Sequence, residues 1–352
     1  MKFRHHAFSL LLLVLCVACR GTPSSQPTMT SPVTESAATQ LPLVSPGAVL
    51  TATPVSTGPA ASTLPAPTST QSAPLAGLVA FYSDRDGNPE IYVMNADGSG
   101  VARLTNDSAF DDSPALSPDG RQIAFLTARH DPNPKFPDLK YELYVMDVDG
   151  SNLRRLTTTE AAEDHPAWSP DGNQISFDAD YNGDGYYEIY SIQPDGSNLT
   201  RLTSGEYNDQ FADWSPDGKQ IAFASDRNGN WDLFVMDADG SNPQAITSSP
   251  NWELFPAWSP DGSRIAFNGL VPRSRNTDIF LINADGSDPL QLTNSPGFDE
   301  NPDWSPDGSQ IVFQAQRGGN FELYVMYLDG SGQRPLGVHP ANELWPSWAI
   351  PT

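Results

Sequence analysis

Short apolar runs separated by turn residues follow one another along the chain from residue 77 onward. The stretch "FADWSPDGKQIAFASDRNGNWDLFVMDADGSNPQAIT" shows the pattern, with the apolar runs FADWS, QIAFAS, WDLFVMD and PQAIT. Runs of β-branched and aromatic residues of this length are typical of β-strands. The Pro-Asp, Asp-Gly and Asn-Gly pairs between them are typical of tight turns. The pattern therefore predicts four short strands in each unit.

This unit occurs six times. The tryptophans that precede its SPDG turns, and one more near the end, lie 44 to 46 residues apart: Trp168, Trp214, Trp258, Trp304 and Trp348. Strands like IYVM and turns of sequence DGS each appear six times. Four strands in a repeat of roughly 45 residues are the signature of a β-propeller blade. The repeated Trp and Phe residues are predicted to pack within and between the blades.

The two ends of the repeat region complement each other. The first unit begins at LVAFYS without a P-x-W strand before it, and the sequence ends with LWPSWAI, a P-x-W strand without a unit after it. Because an open array would leave exposed sheet edges, we expect the last strand to complete the first blade. The sequence thus predicts an all-β fold, a six-bladed β-propeller over residues 77–352 in which the C-terminal strand closes the first blade.

The repeat has a recognisable relative. "SPDGKQIAFASDRNGNWDLFVMDADGS" resembles the WD40-like repeat of TolB-type propellers, known as the PD40 repeat. The resemblance extends over residues 78–350 and recurs in all six units. It implies a six-bladed ring that binds proteins or small ligands through one of its faces.

The first 76 residues have a different character. Residues 1–19 combine a basic start with an apolar run from Ala7 to Ala18, which is too short to span a bilayer and has the layout of a secretory signal peptide. "LCVAC" resembles a bacterial lipobox, which implies that Cys19 becomes a lipidated N-terminus; ordinary signal cleavage nearby is the alternative. Residues 20–76 are rich in Pro, Ser and Thr and are predicted to form a disordered tether. We expect an exported lipoprotein, membrane-bound only through its lipid, with the propeller on the extracytoplasmic side.

Charge and motif content exclude several functions. The chain has 43 Asp and Glu against 19 Lys and Arg, a formal net charge of −24, which repels nucleic acid. Its two cysteines, Cys16 and Cys19, leave the repeat region without a disulfide or a thiol. The sequence contains no G-x-S-x-G, no H-E-x-x-H and no Gly-rich phosphate loop. We therefore expect a non-enzymatic protein, monomeric and without a required cofactor.

Binding is predicted on one face of the ring. The loops after the second strands and the loops that join blades share this loop-rich face and vary in length, whereas the short SPDG and DGS turns share the opposite turn face. Aromatic residues assigned to the blade-joining loops are candidates to contact a protein, peptide or glycan partner. They are Trp252, Trp345, Phe110, Tyr207, Phe255 and Phe298. The alternative is that these rings fill the loops or the channel mouth.

Carboxylates recur at the start of the first and third strands of every unit. Four units also supply an arginine four residues after the conserved Phe of the second strand: Arg85, Arg129, Arg227 and Arg317. Because the same residues return in each blade, we expect ion pairs that stabilise the repeat rather than a site for capturing cations.

One loop departs from the repeat. In "DADYNGDGYYEIY", residues 178–190, Tyr181 replaces the arginine. Oxygen-bearing side chains occupy alternating positions around Gly185, as in short calcium loops. The predicted ligands of this weak Ca²⁺ site are Asp180, Asn182, Asp184 and Glu188.

Two other functions stay open from the sequence. His130, His165 and His339 are assigned to three different loops, and with nearby carboxylates they define a metal-assisted propeller lyase or hydrolase if the three converge on one point. The other alternative is a purely structural surface protein.

Overall fold

A computed structural model describes residues 77–131, 139–159, 161–271 and 276–351. All regular secondary structure in these ranges is β-strand. No helix there has the length and apolar character needed to span a membrane. The predicted signal peptide (1–19) and tether (20–76) lie outside the described residues.

The strands follow one another blade by blade. The first blade contains β1 (Leu78–Ser83), β2 (Glu90–Asn95) and β3 (Ala102–Arg103), and the second contains β4 (Asp111–Leu116), β5 (Gln122–Thr127), β6 (Glu142–Asp147) and β7 (Arg154–Arg155). The third contains β8 (Glu163–Trp168), β9 (Ile175–Ala179), β10 (Glu188–Ile192) and β11 (Thr200–Arg201), and the fourth contains β12 (Asp209–Trp214), β13 (Gln220–Ser225), β14 (Asp232–Asp237) and β15 (Gln244–Ala245). The fifth contains β16 (Glu253–Trp258), β17 (Arg264–Leu270), β18 (Thr277–Asn283) and β19 (Leu290–Gln291), and the sixth contains β20 (Asp299–Trp304), β21 (Gln310–Gln316), β22 (Phe321–Tyr327) and β23 (Arg334–Pro335). The last strand is β24 (Glu343–Ala349).

The strands form six separate four-stranded antiparallel sheets. In five sheets the strands are adjacent in chain order, whereas the first sheet has the order β24-β1-β2-β3. Leu78 pairs with Ala349 and Val79 with Trp348 across the closing pair. The innermost strands β4, β8, β12, β16, β20 and β24 each contact the innermost strands of both neighbouring blades. The predicted six-bladed ring, closed by the C-terminal strand, is therefore confirmed.

The core lies between consecutive blades. Each second strand carries one phenylalanine that is fully or almost fully buried: Phe81, Phe125, Phe177, Phe223, Phe267 and Phe313. The five repeated tryptophans are also buried, and Trp168 packs against Ala115 and Ala124 of the preceding blade. Removing one such ring from water contributes about 1.5–3 kcal/mol. The predicted packing role of these residues is confirmed.

The four arginines that follow the second-strand phenylalanines pair with first-strand carboxylates, as expected. Arg129 contacts the fully buried Asp111 at 3.1 Å, and Arg227 contacts the equally buried Asp209 at 2.8 Å. Arg317 and Arg85 make the corresponding ion pairs in two further blades. Where Tyr181 stands instead of arginine, its hydroxyl donates to Glu163 at 2.8 Å.

The SPDG segments form tight turns on the turn face. Ser117 Oγ accepts a hydrogen bond from the backbone N–H of Gln122 at 2.9 Å and donates to Asp119 at 2.6 Å. Gly120 has a φ of 66°, in the left-handed region that favours glycine. These turns therefore recur because they reverse the chain, as the sequence predicted.

Candidate functional site

Every innermost strand contains a β-bulge at the same place. Within each bulge one residue adopts a left-handed conformation, with φ between 48° and 61°. These residues, one from each blade, are Ser113, His165, Phe211, Phe255, Asn301 and Trp345. Bulges re-aim side chains, and non-glycine residues with positive φ mark sites where the surroundings hold a strained backbone. All six line the central channel.

Four of these side chains fill the channel and are called the aromatic plug: His165, Phe211, Phe255 and Trp345. The ring centroids of Phe211 and Phe255 are 4.1 Å apart, and those of Phe255 and Trp345 are 5.3 Å apart. The His165 ring lies 4.2 Å from Phe211 and 5.1 Å from Trp345. Offset and tilted contacts at such distances are favourable for aromatic rings. The four rings therefore contact one another across the channel.

This arrangement corrects three assignments made from the sequence. Phe255 and Trp345 lie in the innermost strands β16 and β24, and His165 lies in β8; none of the three is in a loop. The reason is the bulge, which lets each strand begin several residues before the P-x-W segment and turns one residue toward the channel.

His165 is anchored to a carboxylate of the next strand. Its Nδ1 lies 2.9 Å from Asp178 Oδ1, and its Nε2, which is buried, has no hydrogen-bond partner among the described residues. Burial lowers the pKa of His165. The charge and hydrogen bond of Asp178, together with the charges of Asp164 and Asp112, outweigh that effect and raise the pKa above its ordinary value.

Asp178 also connects two blades. It is fully buried, and it accepts hydrogen bonds from Gln210 Nε2 at 2.9 Å and from the backbone N–H of Phe211 at 3.2 Å. Gln314 holds the next blade's bulge in the same way, by accepting from the Trp345 N–H at 3.0 Å. The polar residue that follows the second-strand Phe therefore fixes the plug in position.

A cavity of about 610 Å³ extends from the plug toward the turn face. Its wall consists of the bulge residues, the P-x-W segments of all six blades and the prolines of SPDG turns, such as Pro118 and Pro260. This volume is in the range of small-ligand pockets. The cavity thus lies on the side opposite to the loop-rich face for which binding was predicted.

Two carboxylates stand in the cavity wall. Asp213 accepts a hydrogen bond from the Trp258 N–H of the next blade at 2.6 Å, and Asp303 accepts one from the Trp348 N–H at 2.7 Å. Burial raises the pKa of Asp213 to about 7, with a further contribution from the charge of Asp303. Burial also raises the pKa of Asp303 to about 6.

The other predicted aromatic residues lie apart from the plug. Trp252 is 37% exposed. The Tyr207 hydroxyl donates to the Ser204 carbonyl at 2.8 Å, and its ring stacks 4.5 Å from the Arg227 guanidinium carbon. Phe110 and Phe298 are half-buried. Of the six candidates, Phe255 and Trp345 contact each other in the plug.

The oxygen atoms of the predicted calcium loop bond to its own backbone. Asp180 accepts from the N–H groups of Gly183 and Gly185 at 2.8 and 2.9 Å, and Asp184 accepts from the Tyr186 N–H at 3.0 Å. Glu188 forms an ion pair with Arg201. The Asn182 amide donates to Glu188 at 3.4 Å. Calcium binding by Asp180, Asn182, Asp184 and Glu188 stays a prediction.

The three histidines have separate environments. His130 Nδ1 bonds to the Tyr144 hydroxyl at 2.7 Å, and His339 Nδ1 accepts from the Ala341 N–H at 3.2 Å. His165 lies in the plug. Across the described ranges, no three His, Cys, Asp or Glu side chains are placed to hold a metal ion together.

Six antiparallel blades around a plugged channel define the class of WD40-like β-propellers. Residues 245–351 match the PD40 family, the TolB beta propeller domain, and residues 138–231 match the Tricorn protease N-terminal beta propeller domain. The chain is also 37% identical over 106 residues to the TolB homolog of Chlorobaculum tepidum, a match that covers 30% of this chain and 22% of the relative.

A solved structure shows the same fold. TolB from Acinetobacter baumannii superimposes with a TM-score of 0.68 and 23% identity, over 79% of this chain and 68% of that chain.

The match to the TolB homolog of Chlorobium chlorochromatii is 37% identical over 133 residues and covers 28% of this chain. The chain spans only 9–34% of the length of the curated relatives it matches. In its fold the described part of the chain is a TolB-like six-bladed propeller, and its residues 245–351 match the PD40 family.

Several residues of the site escaped the sequence analysis. The sequence pattern does not single out Phe211, Asn301, Asp178, Asp213 or Asp303 as residues of the site. A comparison of the repeats carries a signal for the bulge: the residue two before the middle position of P-x-W is the same in only two blades, whereas the residue that follows it is proline in five of the six.

Proposed function

We propose that this protein is a non-enzymatic propeller of the cell envelope that binds a peptide or protein partner in the channel cavity. The observation that carries the proposal is the cavity itself, which ends at the aromatic plug and has buried polar atoms without partners in its wall. Aromatic anchors in a concave, largely apolar site are typical of peptide and protein recognition. The TolB-like family supports an envelope protein without a catalytic role at the level of the family.

The N-terminal sequence supports the location. A signal peptide over residues 1–19 would export the chain, and lipidation of Cys19 would hold it at the membrane. The Pro- and Thr-rich residues 20–76 would act as a flexible spacer that keeps the propeller clear of the lipid surface. We also propose that the protein is a monomer and that its lipid anchor holds it at the membrane.

Two places for the partner must be distinguished. The sequence favours the loop-rich face, where Trp252 is exposed, and the geometry favours the cavity on the turn face. A glycan is a second kind of ligand that exposed aromatic rings suit. For a metal-assisted lyase or hydrolase, His130, His165 and His339 would have to converge on one point, and within the described ranges no three His, Cys, Asp or Glu side chains are placed to hold a metal ion together.

The test is affinity capture from an envelope extract with the full-length protein and two variants. Phe255→Ser alters the plug with a residue that stands naturally at the same position in the second blade, Ser113. Trp252→Ala alters the loop-rich face. We expect a partner that is retained by the wild type and by Trp252→Ala but lost with Phe255→Ser, whose folding is verified by its melting curve. Loss with Trp252→Ala alone would place the partner on the loop-rich face instead. Retention of nothing by the wild type would favour a structural protein.

A further inference from the structure

The wall of the channel cavity has an unbalanced charge. Asp213 and Asp303 both line it, and no Lys or Arg is among its described lining residues. The hydrogen bonds that these two carboxylates accept come from backbone N–H groups of the tryptophans at the ends of the strands. Backbone donors stabilise a carboxylate without supplying a positive charge. His165 also lines the cavity but is paired with Asp178, so the cavity has an excess of negative charge inside an aromatic and proline-rich wall when Asp213 and Asp303 are ionised.

The repeat itself does not require these carboxylates. The middle position of P-x-W is alanine in three blades, at Ala115, Ala167 and Ala257, and serine in one, at Ser347. Ser347 makes the same kind of bond between blades with a neutral oxygen, which accepts from the Leu116 N–H at 3.0 Å. A blade therefore forms with a methyl group or a hydroxyl at this position. The carboxylates of Asp213 and Asp303 are not needed for the fold and need another explanation.

An independent observation points to a ligand in the same cavity. Asn301 is 6% exposed, and its Oδ1 atom has no hydrogen-bond partner among the described residues. Its amide Nδ2 donates to Gln314 Oε1 at 3.3 Å, which leaves the carbonyl oxygen as the acceptor without a partner. Asn301 belongs to the same strand, β20, as Asp303, and both line the cavity. A carbonyl oxygen without a hydrogen-bond partner, next to a carboxylate, is favourable for binding a donor that carries positive charge.

We propose that the cavity binds a basic side chain, a lysine ammonium or an arginine guanidinium of a partner peptide, at Asp213 and Asp303 with Asn301 as a further acceptor. This inference rests on the proposed function and specifies the chemistry of the partner. The aliphatic stem of the basic residue would lie along the tryptophans and prolines of the wall, and its charge would face indole rings as well as carboxylates.

The proposal has a pH signature. A bound cation favours the ionised form of both carboxylates, so binding releases protons where they are partly protonated. Since burial raises the pKa of Asp213 to about 7 and that of Asp303 to about 6, affinity should rise between about pH 5 and pH 8. His165, which also lines the cavity, strengthens the trend, because its pKa is raised and its positive charge repels the ligand at low pH. The carboxylates of Asp178, Asp164 and Asp112 around His165 temper that repulsion.

The experiment uses three blocked tripeptides, acetyl-Gly-X-Gly-amide with X as lysine, arginine or norleucine, titrated calorimetrically into the full-length protein. Norleucine keeps the lysine stem without the charge. We expect the lysine and arginine peptides to bind about 10- to 100-fold more tightly than the norleucine peptide, as a charged hydrogen bond at a partly buried site provides. In Asp213→Asn/Asp303→Asn this ratio should fall to about 1.

The controls separate the two proposals. Asparagine keeps one oxygen, which can still accept from the tryptophan N–H of the next blade. Asp261→Asn, which removes one charge from an SPDG turn outside the cavity lining, should not change the ratio. Equal binding of all three peptides, lost in Phe255→Ser, would refute the charge preference and leave the cavity as a peptide site. An unchanged ratio in the double variant would also overturn the assignment to Asp213 and Asp303. Absence of binding by every peptide would overturn this inference and also count against the proposed function.

Discussion

Replacing Asp178 by asparagine tests how the plug is held. The variant Asp178→Asn has nearly the same shape and keeps one carbonyl oxygen for the Phe211 N–H. It replaces the other oxygen, Oδ2, by an amide N–H group, which removes the acceptor of Gln210 Nε2 and the negative charge beside His165, whose Nδ1 lies 3.2 Å from Oδ2 and 2.9 Å from Oδ1. The site tolerates an amide elsewhere, because Asn268 occupies the same position in the fifth blade.

The size of the effect depends on the charge of His165. When the imidazole is protonated, the substitution leaves a buried charge without its partner, which costs about 3–5 kcal/mol. When it is neutral, only a hydrogen bond to a charged acceptor is lost, about 1.5–3 kcal/mol. A histidine whose pKa in the folded state is above its unfolded value contributes stability that is full below about pH 6.5 and is lost as pH rises through the folded pKa.

The assay is urea denaturation of wild type and variant at about pH 5.5 and about pH 8.5, on either side of the histidine transition. We expect the loss of unfolding free energy to be greater at the lower pH. Burial raises the pKa values of Asp164 and Asp112 to about 7 and about 6, so both titrate in this window. The charge of Asp178 contributes to the raised pKa of Asp164, so a second background without His165 is needed to assign the pH dependence to the pair of His165 and Asp178.

The refuting result comes from a double-mutant cycle. His165→Phe introduces phenylalanine, the residue that the fourth and fifth blades carry at the same bulge position, as Phe211 and Phe255. In this background the effect of Asp178→Asn should lose the part of its pH dependence that comes from His165, and the smaller loss at low pH is the coupling between the two residues. A pH dependence that persists without His165, or that is absent in its presence, would show that the pair does not hold the plug as argued.

Three further predictions concern other parts of the chain. Arg227→Met should lower the unfolding free energy by about 3–5 kcal/mol, because it leaves the buried carboxylate of Asp209 unpaired, whereas Lys219→Met at a surface ion pair should change it by less than about 1 kcal/mol in the same urea titration. Calcium at about ten times a millimolar Kd should stabilise the propeller by about 1.4 kcal/mol and raise its melting temperature, and Asp180→Asn should abolish the increase; an unchanged melting temperature in the wild type would contradict the site. Cys19→Ser should move the protein from the membrane pellet to the soluble fraction of fractionated cells, and an unaltered distribution would argue against the lipid anchor.

The sequence predicts the ring well because the blade is repeated. Six copies of one strand and turn pattern indicate the strand order and the blade count, and the unmatched ends indicate that β24 joins β1. Periodicity does not reveal a bulge, since one extra residue with positive φ shifts the pattern without changing its composition. For this reason the sequence pattern places Trp345 and Phe255 in loops, whereas both lie in strands. The role of Asp178 cannot be predicted from the sequence, because its partners, His165 and Phe211, belong to other strands and become its neighbours only in the folded ring.

The closing strand has a mechanical consequence. A force applied to the chain ahead of Leu78 would act first on β1, which is hydrogen-bonded on one side to β2 and on the other to β24. Detaching β1 therefore means breaking two ladders rather than peeling away a free edge. The two-residue outer strands, such as β3 and β23, would not bear this force first, because the pulled segment leads directly into β1. A propeller pulled by its N-terminal segment is thus loaded at one of its most firmly bound strands, which suits a domain held at a surface by that end.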